Sequence, residues 1–177
     1  MNLEIGTDII ATSRIKNAIA KFGLGFLERF LLPSEILLAY KNKEKLVLYN
    51  KDSKSLSHEF ISTKTHFFTQ ESLDLYTTQM QDIFNDLQAN FTIESYKIDT
   101  IAGFWAIKEA CSKALGVGIG KELGFHDICI YKDMYGKPRL ALHENKYNNF
   151  RIQKIAISMS HDCLNAIAVC VITFNEA

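Results

Sequence analysis

The run Phe104–Gly120, FWAIKEACSKALGVGIG, sets one carboxylate, Glu109, between two ammonium groups, Lys108 and Lys113, inside an otherwise apolar stretch. On a helix, Glu109 and Lys113 are four residues apart and share a face. In isolation such a pair is a surface ion pair worth about 0.3–0.5 kcal/mol. Its neighbours Phe104, Trp105, Ile107, Ala110, Cys111 and Leu115 are apolar. A charge among them needs a partner or a metal, because burying it unpaired is costly. Gly116, Gly118 and Gly120 follow and would let backbone approach a phosphate closely. A second acid, Asp8, ends an apolar strand in IGTDII. On local grounds it is a turn or capping residue. Brought against Glu109, it would complete a hard-oxygen pair suited to Mg²⁺, which keeps several waters and takes further oxygens from substrate phosphates. A lysine beside that pair would offset the charge of a diphosphate.

Those groups must be positioned by 177 residues, a length that suits one domain with a sizeable core. Residues 3–10 alternate and are β-branched, hence a strand. Thr12 or Ser13 can cap a helix whose apolar face is Ile15, Ile19 and Phe22, interrupted at Gly23 and Gly25. A short helix over 26–31 precedes another starting at Pro33. Residues 41–68 are irregular or a hairpin of KLVLYN and HEFIS, with a basic, loosely held first half carrying Lys41, Lys43, Lys45, Lys51 and Lys54. Residues 69–89 predict one amphipathic helix with the stripe Leu73, Tyr76, Met80, Ile83, Phe84 and Leu87. Residues 97–115 predict a helix apolar on most sides, and so central. Strands at 125–131 and 137–142 are joined around 133–136. Strands at 152–159 and 165–174 are joined by Ser160-His161-Asp162. The class is α+β, an antiparallel sheet with packed helices.

Composition excludes several function classes. Twenty basic and twenty acidic side chains leave no net charge, so no nucleic-acid partner is expected. No run approaches the ~18 apolar residues of a membrane span, so no membrane partner is expected either. MNLEIGTDII lacks the basic start of a secretion signal. The four cysteines, Cys111, Cys129, Cys163 and Cys170, form no C-x-x-C pair and lie in apolar surroundings. They read as reduced core residues, and the protein as cytoplasmic.

Two motifs carry a family resemblance: Ile5-Gly6-Thr7-Asp8, and Trp105-Ala106-Ile107-Lys108-Glu109-Ala110-Cys111-Ser112-Lys113. With ERFLLPSE, ALGVGIG, FHDICIYKD, GKPRL and IAISMSHD, they make the chain resemble the 4′-phosphopantetheinyl transferases, and among them the small holo-[acyl-carrier-protein] synthase type. The matching blocks are 3–40 and 102–173. The resemblance implies transfer of the phosphopantetheine arm of coenzyme A to a serine of an acyl carrier protein, with release of adenosine 3′,5′-bisphosphate. It implies Asp8 and Glu109 as Mg²⁺ ligands, Lys113 on the diphosphate, and Gly116 and Gly118 bordering the coenzyme A site. It further implies His161 near the 3′-phosphate, Arg14 and Lys21 on a first helix that meets the acidic carrier protein, and a homotrimer with sites at subunit boundaries. Lys108 belongs to the second motif without an assigned contact, and no side chain is assigned as the base.

Two departures stand out. The family usually has an arginine where this chain has Phe104, and residues about 41–99 form a family-atypical insertion within the single domain. Two other classes stay open at this level: a non-catalytic module that binds carrier protein or nucleotide, and a metal-dependent diphosphate hydrolase.

Overall fold

A computed structural model describes residues 2–42, 67–133 and 135–176 of the chain. The motifs KLVLYN and HEFIS and the lysines Lys43, Lys45, Lys51 and Lys54 lie outside the described residues. The fold begins with strand β1 (Asn2–Ala11) and helices α1 (Thr12–Phe22), α2 (Leu24–Glu28) and α3 (Pro33–Ala39). Next come the two-residue strand β2 (Phe67–Phe68), α4 (Gln70–Gln79), α5 (Gln81–Ala89) and the long helix α6 (Ile98–Ala114). The chain ends with β3 (Ile128–Lys132), β4 (Pro138–His143), α7 (Glu144–Asn149), β5 (Ile152–Asp162) and β6 (Asn165–Phe174). One antiparallel sheet has the order β1-β6-β5; a second has the order β2-β4-β3, with β3 and β4 antiparallel and β2 joining in parallel. The α+β reading holds, and α6 is the central helix.

Helix α6 lies across the inner face of β1 and β6. Small side chains make that approach close. On β6 the inward positions are Ala166, Ala168, Cys170 and Ile172, all buried. On β1 the crossing is made by Gly6, where a Cβ would collide with the Ala110 carbonyl oxygen and lie 2.5 Å from the Ala114 nitrogen. Gly103 faces β5, where a Cβ would sit 2.7 Å from the side-chain Sδ of Met159. Ile101, Phe104, Ile107 and Cys111 of α6 are fully buried, as a helix apolar on most sides must be.

Several local expectations are corrected. Helix α1 has no side-chain cap from Thr12 or Ser13; its N-cap is Ala11. The Thr12 hydroxyl instead donates to Cys163 O at 2.8 Å, and its N–H donates to Leu164 O at 2.8 Å, tying α1 to the β5–β6 turn. That turn is Cys163–Leu164, because Ser160, His161 and Asp162 continue β5; Asp162 Oδ1 accepts the Asn165 N–H at 2.8 Å. Cys163 is therefore exposed, whereas Cys111, Cys129 and Cys170 are buried. Phe22 is 47% exposed rather than buried, its ring faced by Lys21 at 4.9 Å and Arg29 at 5.5 Å.

The single helix predicted over 69–89 is two helices broken at Met80. Thr77 and Thr78 donate their hydroxyls to Leu73 O and Asp74 O, a back-bonding that bends helices. The bend keeps Leu73, Tyr76, Met80, Ile83 and Leu87 all in the core. The helix predicted from residue 26 begins at Leu24, and Phe125–Asp127 forms a 3₁₀ turn before β3. Helix α7 had no apolar stripe to announce it.

Candidate active site

Asp8 follows Gly6 by two residues and so faces the same side of β1, toward α6. Because Gly6 lets the helix backbone come so close, the Asp8 carboxylate reaches the C-terminal half of α6. There Lys113 Nζ donates to Asp8 Oδ1 at 2.8 Å. Glu109, one turn back on α6, is half-buried. Burial raises the Glu109 pKa above the ordinary carboxylate value; the nearby Asp8 charge raises it further, and Lys113 works against both. Among the described residues, none donates a hydrogen bond to the Glu109 carboxylate, and no third His, Cys, Asp or Glu joins the pair. The result is two mutually repelling carboxylates with one half-exposed ammonium beside them.

The end of α6 is built around that ammonium. Gly116 and Gly118 adopt φ of 72° and 67°, the left-handed region that favours glycine. The Gly116 N–H donates to Lys113 O at 3.1 Å and the Val117 N–H to Ser112 O at 3.2 Å, turning the chain back directly after Lys113. Both glycines are exposed.

The other sequence-predicted residues are dispersed. Arg14 and Lys21 are both exposed on α1, and buried Ile15 and Ile19 take the opposite side of the helix. His161 is exposed on β5, where it pairs with Ala166; Asp8 is two strands away on β1 and pairs with Ala168. Phe104, at the family's arginine position, is fully buried.

Three features escaped the sequence. Lys108 points into the core, not toward Asp8: its Nζ donates to Glu35 Oε2 at 2.7 Å, Phe30 O at 2.8 Å and Phe125 O at 3.0 Å. The ERFLLPSE block held the signal for its partner Glu35, but nothing in the pattern joined the two. A ring cluster gathers around half-buried Trp105, with the Phe30 and Phe125 centroids each 5.0 Å away and Phe26 stacked at 6.3 Å. Finally, a separate cleft of about 560 Å³ opens between α3, α4 and α5, lined by residues including Ile36, Leu73, Phe84, His126 and His143.

Asp8 and Glu109 thus converge from the two motifs that carry the family resemblance. The family model for the 4′-phosphopantetheinyl transferase superfamily matches residues 59–168. The chain belongs to this superfamily. It is similar to the holo-[acyl-carrier-protein] synthase of Helicobacter acinonychis (strain Sheeba), 37% identical over 169 residues that cover 96% of this chain and 99% of the relative. It is also similar to that of a Nitratiruptor species, 38% identical over 168 residues covering 95% and 97%. Among solved structures, it resembles the Helicobacter pylori holo-[acyl-carrier-protein] synthase in complex with coenzyme A. The TM-score is 0.62 and the identity 36%, with 96% of this chain and 99% of that one covered. Within the superfamily, then, this is a member whose relatives it matches almost end to end.

Proposed function

We propose that the protein transfers the 4′-phosphopantetheine group of coenzyme A to a serine of apo acyl carrier protein, releasing adenosine 3′,5′-bisphosphate. The observation that carries this reading is the convergence of Asp8, Glu109 and Lys113, from two distant motifs, in a member of this superfamily. A pure binding module has no need of paired carboxylates held against mutual repulsion. Among the described residues, the site also has no acid cluster of the kind a multi-metal hydrolase uses.

The donor set fits Mg²⁺. Two half-buried carboxylates, one without a hydrogen bond from any described residue, offer hard oxygens and leave most of an octahedron for water and phosphate. Asp8 and Glu109 would hold the ion, which when bound supplies Lewis-acid stabilisation of charge on the diphosphate. Lys113 is already on Asp8, and its half-exposed chain can swing to a diphosphate oxygen as the cation takes its place. The exposed Gly116 and Gly118 border the same end of α6 and leave room for the coenzyme A backbone. His161 is assigned to the 3′-phosphate. Its separation from Asp8 within one chain fits a site completed by a neighbouring subunit.

A homotrimer is supported by the outer face of the β1-β6-β5 sheet, which is apolar and exposed at Leu3, Ile5, Ile9 and Ile167. Ile9 and Ile167 are direct partners across β1 and β6, so these side chains share one face. An apolar area of this kind marks an interaction surface. Ile5→Glu is expected to shift the protein to monomer in sedimentation and to lose most of its transfer activity. A trimer with full activity would count against this face. The described part of the 41–99 insertion, residues 67–99, is read as an elaboration of one domain, since α4 and α5 pack on its core. No helix among the described residues is long and apolar enough to cross a membrane, and the proposed place of action is the cytoplasm.

The deciding experiment is to incubate the protein with coenzyme A, Mg²⁺ and apo carrier protein and to weigh the carrier protein. A phosphopantetheine gain is expected. Nucleotide release without that gain would mean hydrolysis, and neither would mean a binding module. For carrier-protein docking, Arg14→Glu reverses an exposed charge on α1, where electrostatics mainly govern encounter. Its KM for carrier protein should rise about tenfold or more, as the loss of roughly 1.4 kcal/mol of encounter energy would do, with the KM for coenzyme A unchanged. Equal changes in both would place Arg14 elsewhere.

A further inference from the structure

Lys108 and Glu35 are both completely buried, and the proposed chemistry uses neither. Burying two charges is expensive unless every donor and acceptor is matched. Here they are matched. The three Lys108 donors go to Glu35, Phe30 O and Phe125 O. Glu35 Oε2 also accepts the Leu32 N–H at 2.6 Å, and Oε1 accepts the Ile130 N–H at 2.8 Å. One pair thereby joins α6, the segment before α3, α3 itself, the 125–127 turn and β3.

We propose that Lys108 and Glu35 are positioning residues for the transfer reaction, a buried ion pair that fixes the seat of α6 and with it Trp105 and Glu109. The proposal rests on the function argued above. Two of the Lys108 acceptors are the carbonyls of Phe30 and Phe125, whose rings grip Trp105. Trp105 is one helical turn before Glu109 on α6. Lys108 therefore holds the backbone of the ring cage from inside while the next residue, Glu109, faces the site. A pair meant only for stability is replaceable: apolar residues of similar volume often serve a core as well or better. The network here does something an apolar pair would not. Besides the bond between its two members, it sets directional contacts to four separate backbone groups, and so specifies one orientation of α6 rather than merely a filled space.

Two variants test this: Glu35→Gln, which keeps the length and one acceptor, and the double variant Lys108→Met with Glu35→Gln. Trp105 is the only tryptophan in the chain, so its emission reports the ring cage without any assay of activity. In the folded double variant, Trp105 emission is expected to move to the red and to be quenched more strongly by acrylamide. The kcat should fall about 100-fold, the loss expected from a misplacement of about 1 Å, while the KM for carrier protein stays the same. Glu35→Gln leaves the Lys108 ammonium buried without its counter-charge, so it should be the less stable variant and show both effects at least as strongly; whichever of the two folds carries the test. Wild-type kcat in a folded variant would overturn the proposal whether or not the emission moves. A fall in kcat with unmoved Trp105 emission would overturn it too. If the wild-type protein transfers nothing, the functional reading fails, and the emission arm still reports whether the pair seats α6.

Discussion

Glu109→Gln is expected to abolish transfer and, at neutral pH, to raise the melting temperature of the metal-free protein. The two effects have one cause. Glu109 is held half-buried beside Asp8, and both burial and that neighbouring charge raise its pKa. Between the ordinary carboxylate value and the raised one, the folded protein keeps a proton that the unfolded chain has released. Stability therefore falls as pH rises through that window and stays lower above it. Gln has the same shape and no charge to bury, so it removes this penalty. At pH below the ordinary carboxylate range Glu109 is protonated in both states, and the stability difference due to its charge should vanish.

The same charge is what a cation needs. Its loss should lower turnover by about a thousandfold, since a metal's stabilisation of transition-state charge is worth several kcal/mol. Mg²⁺ affinity of the wild-type protein should likewise weaken on acidification sooner than for an isolated carboxylate, because Glu109 must first give up its proton. Calorimetry across pH, with turnover at limiting Mg²⁺, measures all three. Near-wild-type turnover in Glu109→Gln would remove Glu109 from the cation site.

Gly6→Ala is the second large effect, and it acts through the backbone. A Cβ at Gly6 would overlap the Ala110 carbonyl oxygen and crowd the Ala114 nitrogen. Both are helix backbone atoms that cannot rotate away, so β1 and α6 must separate. Overpacking of this kind destabilises by about 3 kcal/mol or more. Separation also carries Asp8 away from Glu109 and Lys113. The molecules that still fold should therefore lose about 100-fold in turnover, the result of a displacement near 1 Å. Gly25→Ala is the control: a Cβ there meets nothing within 4 Å. In helix α2 that substitution should be neutral or stabilising by roughly 0.5–1 kcal/mol. Denaturant unfolding of the two variants separates them. A Gly6→Ala protein as stable as wild type would mean that strand and helix do not meet this closely.

Much of the fold was legible from residue order because it rests on local rules. The β-branched alternation of residues 3–10 and the apolar run 165–174 mark two strands, and apolar character on most sides marks α6 as central. Proline at position 33 starts α3, whose Glu35 reaches back to the Leu32 N–H. The candidate acids stood out in the sequence as well, since Asp8 and Glu109 are acids in apolar company. Boundaries were less so. The β5–β6 turn moved to Cys163–Leu164 because strand pairing with β6 runs on through Asp162, and pairing is not a property of either strand alone. The break at Met80 is invisible to a hydrophobic stripe that survives the bend.

Tertiary structure alone decided what each charge in the second motif does. Lys108 and Lys113 stand on one helix, five residues and roughly 140° apart. On a helix apolar nearly all round, no periodicity says which of them faces water. Lys113 turns outward because β1, reaching α6 across Gly6, puts Asp8 there, 105 residues away in the chain. Lys108 turns inward because α3 brings Glu35, 73 residues away, into the core with every donor and acceptor matched. A buried charge is tolerable only where its partner waits, and long-range packing is what delivers the partner.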